Sequence, residues 1–427
     1  TSGEGRVVAI VKGGSEVQQA SAGDEVVVLT NQTPFYGESG GQTGDAGLMA
    51  SVGGLRAKVT DTSKPLGRLH SHSVSIAAGS VAVGDTVEMK VDVERRDRIR
   101  ANHSATHLLH AALRNRLGGH VTQKGSMVAE ERLRFDFSHP VALTPDDIAA
   151  VEAEVNAEIR ANESVSTRLM TPDDAVAAGA LALFGEKYGD EVRVLTMGRP
   201  GKEGRNYSVE LCGGTHVNAT GDIGVFRIVA ESAVSSGVRR IEALTGEGAR
   251  QWLVAREDAL KAAASVIRAM PEDVPARLAA LLDERKRLEK ELAEAKRALA
   301  LGGGGNGTGA PAADETVAGT AFSGQVIDGL DPKELRPLLD AAKQRMGSGV
   351  AVIVAVNDGK ASIAAAVTDD LTSRFSAVDL VRAGVEALGG KGGGGRSDMA
   401  QGGGPDSTKA AEALATVKAL LAAETAA

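Results

Sequence analysis

The sequence predicts a multidomain α+β fold, and three observations carry that reading. Alternating apolar runs cut by Gly and Asp turns fill residues 1–94, the period turns helical at Arg95, and a leucine seam over residues 278–299 runs into a glycine tract. In order these give a small antiparallel β-barrel (1–94), an α+β core (95–248), a helical connector (249–301), a Gly-rich linker (302–315) and a C-terminal α/β domain (316–427).

The barrel rests on short strands such as Arg6–Val11, Glu25–Leu29, a hairpin around Gly53-Gly54, and Thr86–Glu94, where Val87, Met89, Val91 and Val93 alternate with polar residues. Between them lies TPFYGESGGQTGDAG, Thr33–Gly47, too glycine-rich for an ordinary connection. A helix follows from Arg95 to the Gly118-Gly119 stop, then a strand Arg132–Ser138 with Leu133, Phe135 and Phe137 on one face. Thr144-Pro145-Asp146-Asp147 opens a second helix: a Thr cap, Pro in the first turn, and acids near the positive dipole end. Ile148, Val151, Val155 and Ile159 form its apolar stripe, and Thr171-Pro172-Asp173-Asp174 repeats the start signal. Strands are expected near Val192–Met197, Tyr207–Leu211, Val225–Glu231 and Val238–Leu244.

Leu278, Leu281, Arg285, Leu288, Leu292, Ala295 and Leu299 make a 3-4 seam, broken from what precedes it by Pro271 and Pro275. It fits a helical hairpin or a coiled-coil strut that dimerises. GGGGNGTGAPAA, Gly302–Ala313, reads as linker. Beyond it come a helix start at Asp331, a hairpin over Asn357-Asp358-Gly359, a helix at 377–388, the segment GGKGGGGRSDMAQGGG (Gly389–Gly404) and a final helix.

A chain of 427 residues, 42% of them hydrophobic, can bury several cores. No apolar run reaches the roughly 18–20 residues of a membrane span, so no membrane association is expected. A single cysteine rules out an internal disulfide, fits a reducing, cytoplasmic compartment, and leaves Cys212 free for metal. The start TSGEG, with neither Met nor a signal-peptide pattern, fits a piece of a longer protein. A net charge of −8 argues against nucleic-acid binding over the whole surface, yet residues 95–134 carry nine Arg/Lys against three acids. That excess is either a solvated helix face or a phosphate-facing patch.

Two fragments carry the chemistry. HSATH (His103–His107) spaces two imidazoles i, i+4 on one helix face, and CGGTH (Cys212–His216) puts the one cysteine and a histidine at the same spacing in a glycine turn. His103, His107, Cys212 and His216 thus form a borderline-soft tetrahedral set suited to one zinc ion. Residues 104–106 supply no glutamate, so the HExxH peptidase reading lacks its base. His110, one turn from His107, is a candidate partner behind the ligands. The loop Phe35–Asp45 lacks a P-loop lysine and reads equally as a phosphate or ribose cradle or as a tight barrel turn. In Gly389–Gly404, Lys391, Arg396, Asp398 and Gln401 suggest a ligand-facing loop.

HSATHLLHAALRNRLGGHVTQKGSMVAEERLRFDFSH, VELCGGTHVNATGDIGVFRI, TPFYGESGGQTGDAG and GGKGGGGRSDMAQGGG closely resemble the alanyl-tRNA synthetase family, over essentially the whole chain. The resemblance matches only the C-terminal half of such an enzyme, without the N-terminal aminoacylation domain and its ATP site. It implies a zinc-containing editing core that deacylates Ser-tRNA(Ala) and Gly-tRNA(Ala). It also implies a C-terminal domain, shared with DHH-type phosphoesterases but lacking their metal motif, that binds tRNA through Lys391 and Arg396. Carried over by position, His103, His107, Cys212 and His216 hold zinc. Gln123 supports editing, with Thr106 as a second polar group able to place a water. Glu38, Ser39, Gly40, Gly41, Gln42 and Arg134 bind substrate. Free-standing editing relatives typically carry Thr at the position of Glu38, a departure that bears on serine discrimination. Implied partners are tRNA(Ala), the rest of the synthetase polypeptide, and a second copy through the coiled coil or C-terminal domain. The competing readings are a free-standing trans-editing deacylase and a tRNA-binding module with a purely structural zinc. A threonyl-tRNA synthetase editing module would share the metal pattern but not the C-terminal glycine motif.

Overall fold

The alternation in the N-terminal strands gives each one buried face, and the sheet they form closes on itself. Ser2–Lys12, Glu25–Thr30, Ser71–Ala78, Arg56–Ser63, Gly47–Ala50 and Thr86–Val91 pair antiparallel in that order, and the last pairs back onto the first. Closure of this six-strand barrel leaves no open edge. Val7, Ile10, Val28, Val59, Val87 and Met89 fill it, joined by Phe35 from the glycine loop. The computed structural model describes residues 1–180, 190–200, 206–302, 315–357 and 359–423, and divides into two units, Thr1–Ala262 and Ala263–Ala427.

In the first unit, helix α1 (Val93–Leu117) starts two residues before Arg95, because Asp92 ends the last barrel strand and caps the helix by accepting the Arg95 N–H. Gly118 stops it. Helix α2 (Pro145–Ala161) carries the expected Thr cap, completed into a capping box in which Thr144 and Asp147 satisfy each other's backbone N–H groups. The short helix α3 (Pro172–Ala177) is capped by Thr171. Four antiparallel strands, Gln123–Val128, Leu133–Ser138, Val238–Thr245 and Phe226–Ser235, lie side by side in that order. Leu133, Phe135 and Phe137 bury one face of this sheet with Leu108 and Leu109 of α1 and Val151 and Val155 of α2. A smaller sheet of Ser166–Met170, Val192–Pro200 and Asn206–Leu211 delivers the chain to Cys212. Helix α4 (Gly246–Val266) follows, its residues from Ala263 on belonging to the second unit.

In the second unit, helix α5 (Val274–Gly302) starts after the break at Pro271. Leu278, Leu282, Leu288 and Leu292 on it are about half exposed, at 45%, 57%, 51% and 58%. Gly302 is the last residue of that helix rather than the first of a linker. Residues 303–314 of the expected linker, and Asp358 of the expected hairpin turn, lie outside the described residues. A six-stranded sheet runs Glu315–Val317, Thr320–Asp328, Val350–Asn357, Lys360–Val367, Met399–Gly404, Gly393–Arg396. One pair, Thr320–Asp328 with Val350–Asn357, is parallel, with helix α6 (Leu335–Met346) as its crossover. All other pairs are antiparallel, so the sheet of this α/β domain is mixed. Helix α6 packs with Ile353 and Ala364 in one core. Helices α7 (Ala377–Ala387) and α8 (Ala410–Ala423) share the other core with Val352 and Ile363. Among the described residues, no helix is long and apolar enough to cross a membrane.

Candidate metal centre

Helix α1 places His103 and His107 one turn apart, and the strand Asn206–Leu211 ends at Cys212 beside them. The glycine turn brings His216 back, so that one donor atom from each of His103, His107, Cys212 and His216 lies within 4.8 Å of the others. The three imidazoles are buried and the thiol is partly so. Cys212 Sγ stands 3.5 Å from His103 Nε2 and 3.2 Å from His216 Nε2, and accepts the Gly214 N–H at 3.4 Å.

The far nitrogen of every ring is committed elsewhere. His103 Nδ1 donates to Gln42 Oε1 at 2.7 Å, and His107 Nδ1 meets Glu210 Oε2 at 2.8 Å. His216 Nδ1 lies 3.1 Å from Ser104 Oγ, which also accepts the Val217 N–H. A partner on Nδ1 turns Nε2 toward the shared centre and fixes the tautomer that binds metal. His107 Nε2 is buried without any hydrogen-bond partner, an arrangement a protein interior tolerates poorly unless something else takes the lone pair. Three imidazoles and one thiol, with the unpartnered His107 Nε2 among their donor atoms, fit a zinc ion.

The charges agree. Burial pushes the Cys212 thiol up, but His107 and His103 outweigh it and bring it down to about 2, so it is a thiolate at neutral pH. Burial opposes ionisation of Glu210 as well, yet His107 and His110 hold its carboxyl well below the usual range. His107, resisted by burial, is pushed up to about 10 by Glu210 and Cys212. His216 falls to about 3 through burial and the neighbouring His103. The folded cluster thus holds two anions, one of them a metal-competent thiolate, and a dication would balance them with four donors in place of a proton.

The remaining sequence candidates are distributed unevenly. Ser39, Gly40, Gly41 and Gln42 form a tight two-residue turn in which Ser39 and Gln42 exchange backbone hydrogen bonds, with positive φ at Gly40 (59°) and Gly41 (84°). Glu38, Ser39, Gly40 and Gly41 are exposed, whereas Gln42 is fully buried and bonded to His103 and Thr215. Thr106 donates its hydroxyl proton to the Asn102 carbonyl one turn back. Gln123 pairs with Phe137 and so lies on the core face of its sheet, while Arg134 pairs with Met127 and lies on the opposite face beside Asp136. The structure therefore does not bring Arg134 to the metal ligands. Lys391 and Arg396 sit in the second unit, both exposed, Arg396 beside Asp398 at 3.1 Å.

The basic excess at residues 95–134 is divided: Arg98, Arg116, Lys124 and Arg132 are exposed, whereas three arginines are tied to the protein's own backbone or carboxylates. Arg96 is buried against Asp45 and donates to the Pro34 carbonyl, Arg95 donates to the Gly44 carbonyl, and Arg114 donates to the Gly119 and Val121 carbonyls. These contacts pin the glycine loop to α1 and close the end of the helix. Sequence reasoning missed Glu210 and Ser104. Glu210 joins His107 and His110 through its two oxygens, so His110 stands behind the ligands as expected. The signal for Glu210 was available: two residues before Cys212 in a strand, it shares the face of the cysteine.

Three family models match the chain: tRNA synthetases class II (A) over residues 1–95, the threonyl and alanyl tRNA synthetase second additional domain over 192–242, and the DHHA1 domain over 319–423. An alanine–tRNA ligase of Sphingopyxis alaskensis is 68% identical over 99% of this chain and 48% of its own length. That of Rhizorhabdus wittichii is 66% identical over 98% of this chain and 47% of its own length. The C-Ala domain crystal structure from Aquifex aeolicus alanyl-tRNA synthetase is 32% identical, covering 26% of this chain and 98% of its own, with a TM-score of 0.25. The chain spans about half the length of the curated relatives it matches. Its sequence, from the barrel to the last helix, belongs to the alanyl-tRNA synthetase family.

Proposed function

We propose that this chain is the proofreading and tRNA-binding portion of an alanine–tRNA ligase, and that its first unit hydrolyses Ser-tRNA(Ala) and Gly-tRNA(Ala). The observation that carries the reading is the four-donor cluster of His103, His107, Cys212 and His216. An alanine pocket separates serine or glycine from alanine by only about 1–3 kcal/mol, so a second, hydrolytic site is needed. On this reading the chain divides into a barrel (1–94), an editing core (95–248), a connector (249–301), a linker (302–315) and a C-terminal domain (316–427).

The four ligand residues would hold one zinc, which when bound supplies a fixed positive charge able to anchor the aminoacyl group or polarise a water. Four protein ligands make a closed set, which favours a role in orientation. Thr106, its proton spent on Asn102, is left as an acceptor for a water or an ammonium group. Gln123 can donate and accept at once and so orient a water toward the ester carbonyl. Such positioning suffices for an ester that is already activated. Glu38 and Ser39, on the exposed turn next to the buried Gln42, are the groups offered to the substrate amine and the seryl hydroxyl. Lys391 and Arg396 would meet tRNA phosphates in the cytoplasm, and the half-exposed leucines of α5 would support self-association.

The test is to incubate the chain with Ser-tRNA(Ala) and Ala-tRNA(Ala), with and without a chelator. Selective loss of the seryl ester, abolished by chelation, is expected. Binding of both tRNAs with no ester loss would favour the second reading, a tRNA-binding module whose closed zinc site is structural.

A further inference from the structure

We propose that Gln42, carried into the metal centre by the glycine loop of the barrel, is the positioning residue that sets His103 for metal binding. The inference rests on reading His103, His107, Cys212 and His216 as metal ligands. Gln42 has no exposed surface, and its amide makes three contacts. Oε1 accepts from His103 Nδ1 at 2.7 Å and from the Thr215 N–H at 2.9 Å, while Nε2 donates to Thr215 Oγ1 at 2.8 Å. The backbone N–H of Thr215 can only donate, so the amide oxygen must face it. That same oxygen faces His103, whose Nδ1 must then carry the proton and leave Nε2 bare on the side of Cys212. The amide therefore selects both the tautomer and the ring orientation of one ligand, and through Thr215 it holds the turn that carries another.

The loop is built to keep Gln42 there. A Cβ on Gly41 would lie 2.4 Å from the Ser126 carbonyl oxygen, and Thr43 N–H and Val128 N–H bond across to Val128 and Gly41 carbonyls. Arg96 grips Asp45 and Arg95 the Gly44 carbonyl. On the other side, a Cβ on Gly214 would fall 2.1 Å from His103 Cε1 and 2.7 Å from Gln42 Oε1. The second glycine of CGGTH is thus the space through which the barrel loop reaches the ligand. Glu210 and Ser104 serve the other two histidines from within the core, whereas His103 takes its partner from the barrel. With both acceptor positions of Oε1 used internally, Gln42 has no oxygen lone pair left for a substrate. This reassigns a residue that family resemblance had placed in the substrate pocket.

The test loads the full chain with cobalt(II), measures its visible absorption, and determines zinc affinity by competition, for the wild type, Gln42→Ala, Gln42→Glu and Thr43→Val. Gln42→Ala should bind zinc about 10–100-fold more weakly and shift the cobalt bands, while its far-UV circular dichroism stays that of the wild type. Gln42→Glu keeps an acceptor for His103 Nδ1 and should recover most of the affinity. Thr43→Val, which removes only a loop hydroxyl bond to Val128, should leave both readouts unchanged. Wild-type affinity and spectrum in Gln42→Ala would overturn the proposal, as would equal losses in all three variants. A wild type that binds neither cobalt nor zinc would instead overturn the metal-ligand reading on which it stands.

Discussion

The barrel loop Thr33–Gly47 and the C-terminal segment Gly389–Gly404 look alike as sequence, yet they use glycine for opposite ends. In the barrel loop, a Cβ on Gly44 would sit 1.8 Å from the Thr62 carbonyl oxygen and one on Gly47 2.1 Å from that of Lys90. The close approach drives polar side chains inward, leaving Gln42 and Asp45 at 0% and 1% exposure. In the C-terminal hairpin, Gly393 and Gly402 make room for Val381 and Val385 of α7, and the polar side chains turn outward. Arg396 keeps 76% of its side chain in solvent. The loop expected there is largely a pair of strands at the edge of a sheet. Glycine content marks where backbones crowd, and burial of the neighbouring polar groups decides whether the result is an internal polar centre or an outward-facing edge.

The largest effect is expected for Cys212→Ala, which should abolish zinc binding and any deacylation while leaving the second unit's hairpin intact. Metal analysis of the purified chain checks it. Next, Gly44→Ala should destabilise the first unit by about 1–3 kcal/mol or more through overpacking. Gly394→Ala, where an added Cβ meets nothing within 4 Å, should stay within about 0.5 kcal/mol of the wild type in denaturant unfolding. A third, smaller effect is expected for Glu210→Gln, which keeps the shape but weakens the acceptor for His107 and His110. Zinc affinity should fall about 10–100-fold by competition.

The pH dependence of the metal-free chain follows from the buried centre. His107, raised from 6.5 to about 10, contributes stability that is whole below pH 6.5 and lost as pH rises through about 10. Cys212, lowered from 9.0 to about 2, contributes fully above pH 9 and loses its part as pH falls toward about 2. His216, lowered to about 3, makes the unfolded chain the better proton binder below pH 6.5, and Glu210 adds to this below 4.5. The thermal midpoint should therefore be flat from about pH 6.5 to 9 and fall on both sides, more steeply in acid. Smallest in stability terms, Lys391→Ala and Arg396→Ala should leave melting and zinc content unchanged. Each should lower the salt slope of tRNA binding by about 1.

Much of the metal centre was legible because its ligands sit at fixed local spacings on a helix and in a turn. Its supports were harder to read. Gln42 lies 61 residues from His103, and only the packing of the barrel loop against α1 reveals that they touch. Ser104, beside a ligand, looks like any helical serine until His216 folds back onto it. The strand Ser166–Met170 escaped notice because nearly all of it is exposed, so no apolar alternation announced it; pairing with Val192–Pro200 holds it. The capped helices α2 and α3 were readable from Thr-Pro-Asp-Asp alone, since capping is local chemistry. The excess of arginine on α1 suggested an outward surface, but composition could not show that Arg96 faces a buried carboxylate.

Zinc K-edge absorption on the purified full chain reads the metal centre itself. One zinc per chain is expected, with one sulfur near 2.3 Å and three nitrogens at about 2.0–2.1 Å, and no bound zinc in Cys212→Ala. A chain purified without metal that takes up none on zinc addition, or a bound zinc with no sulfur neighbour, would contradict it.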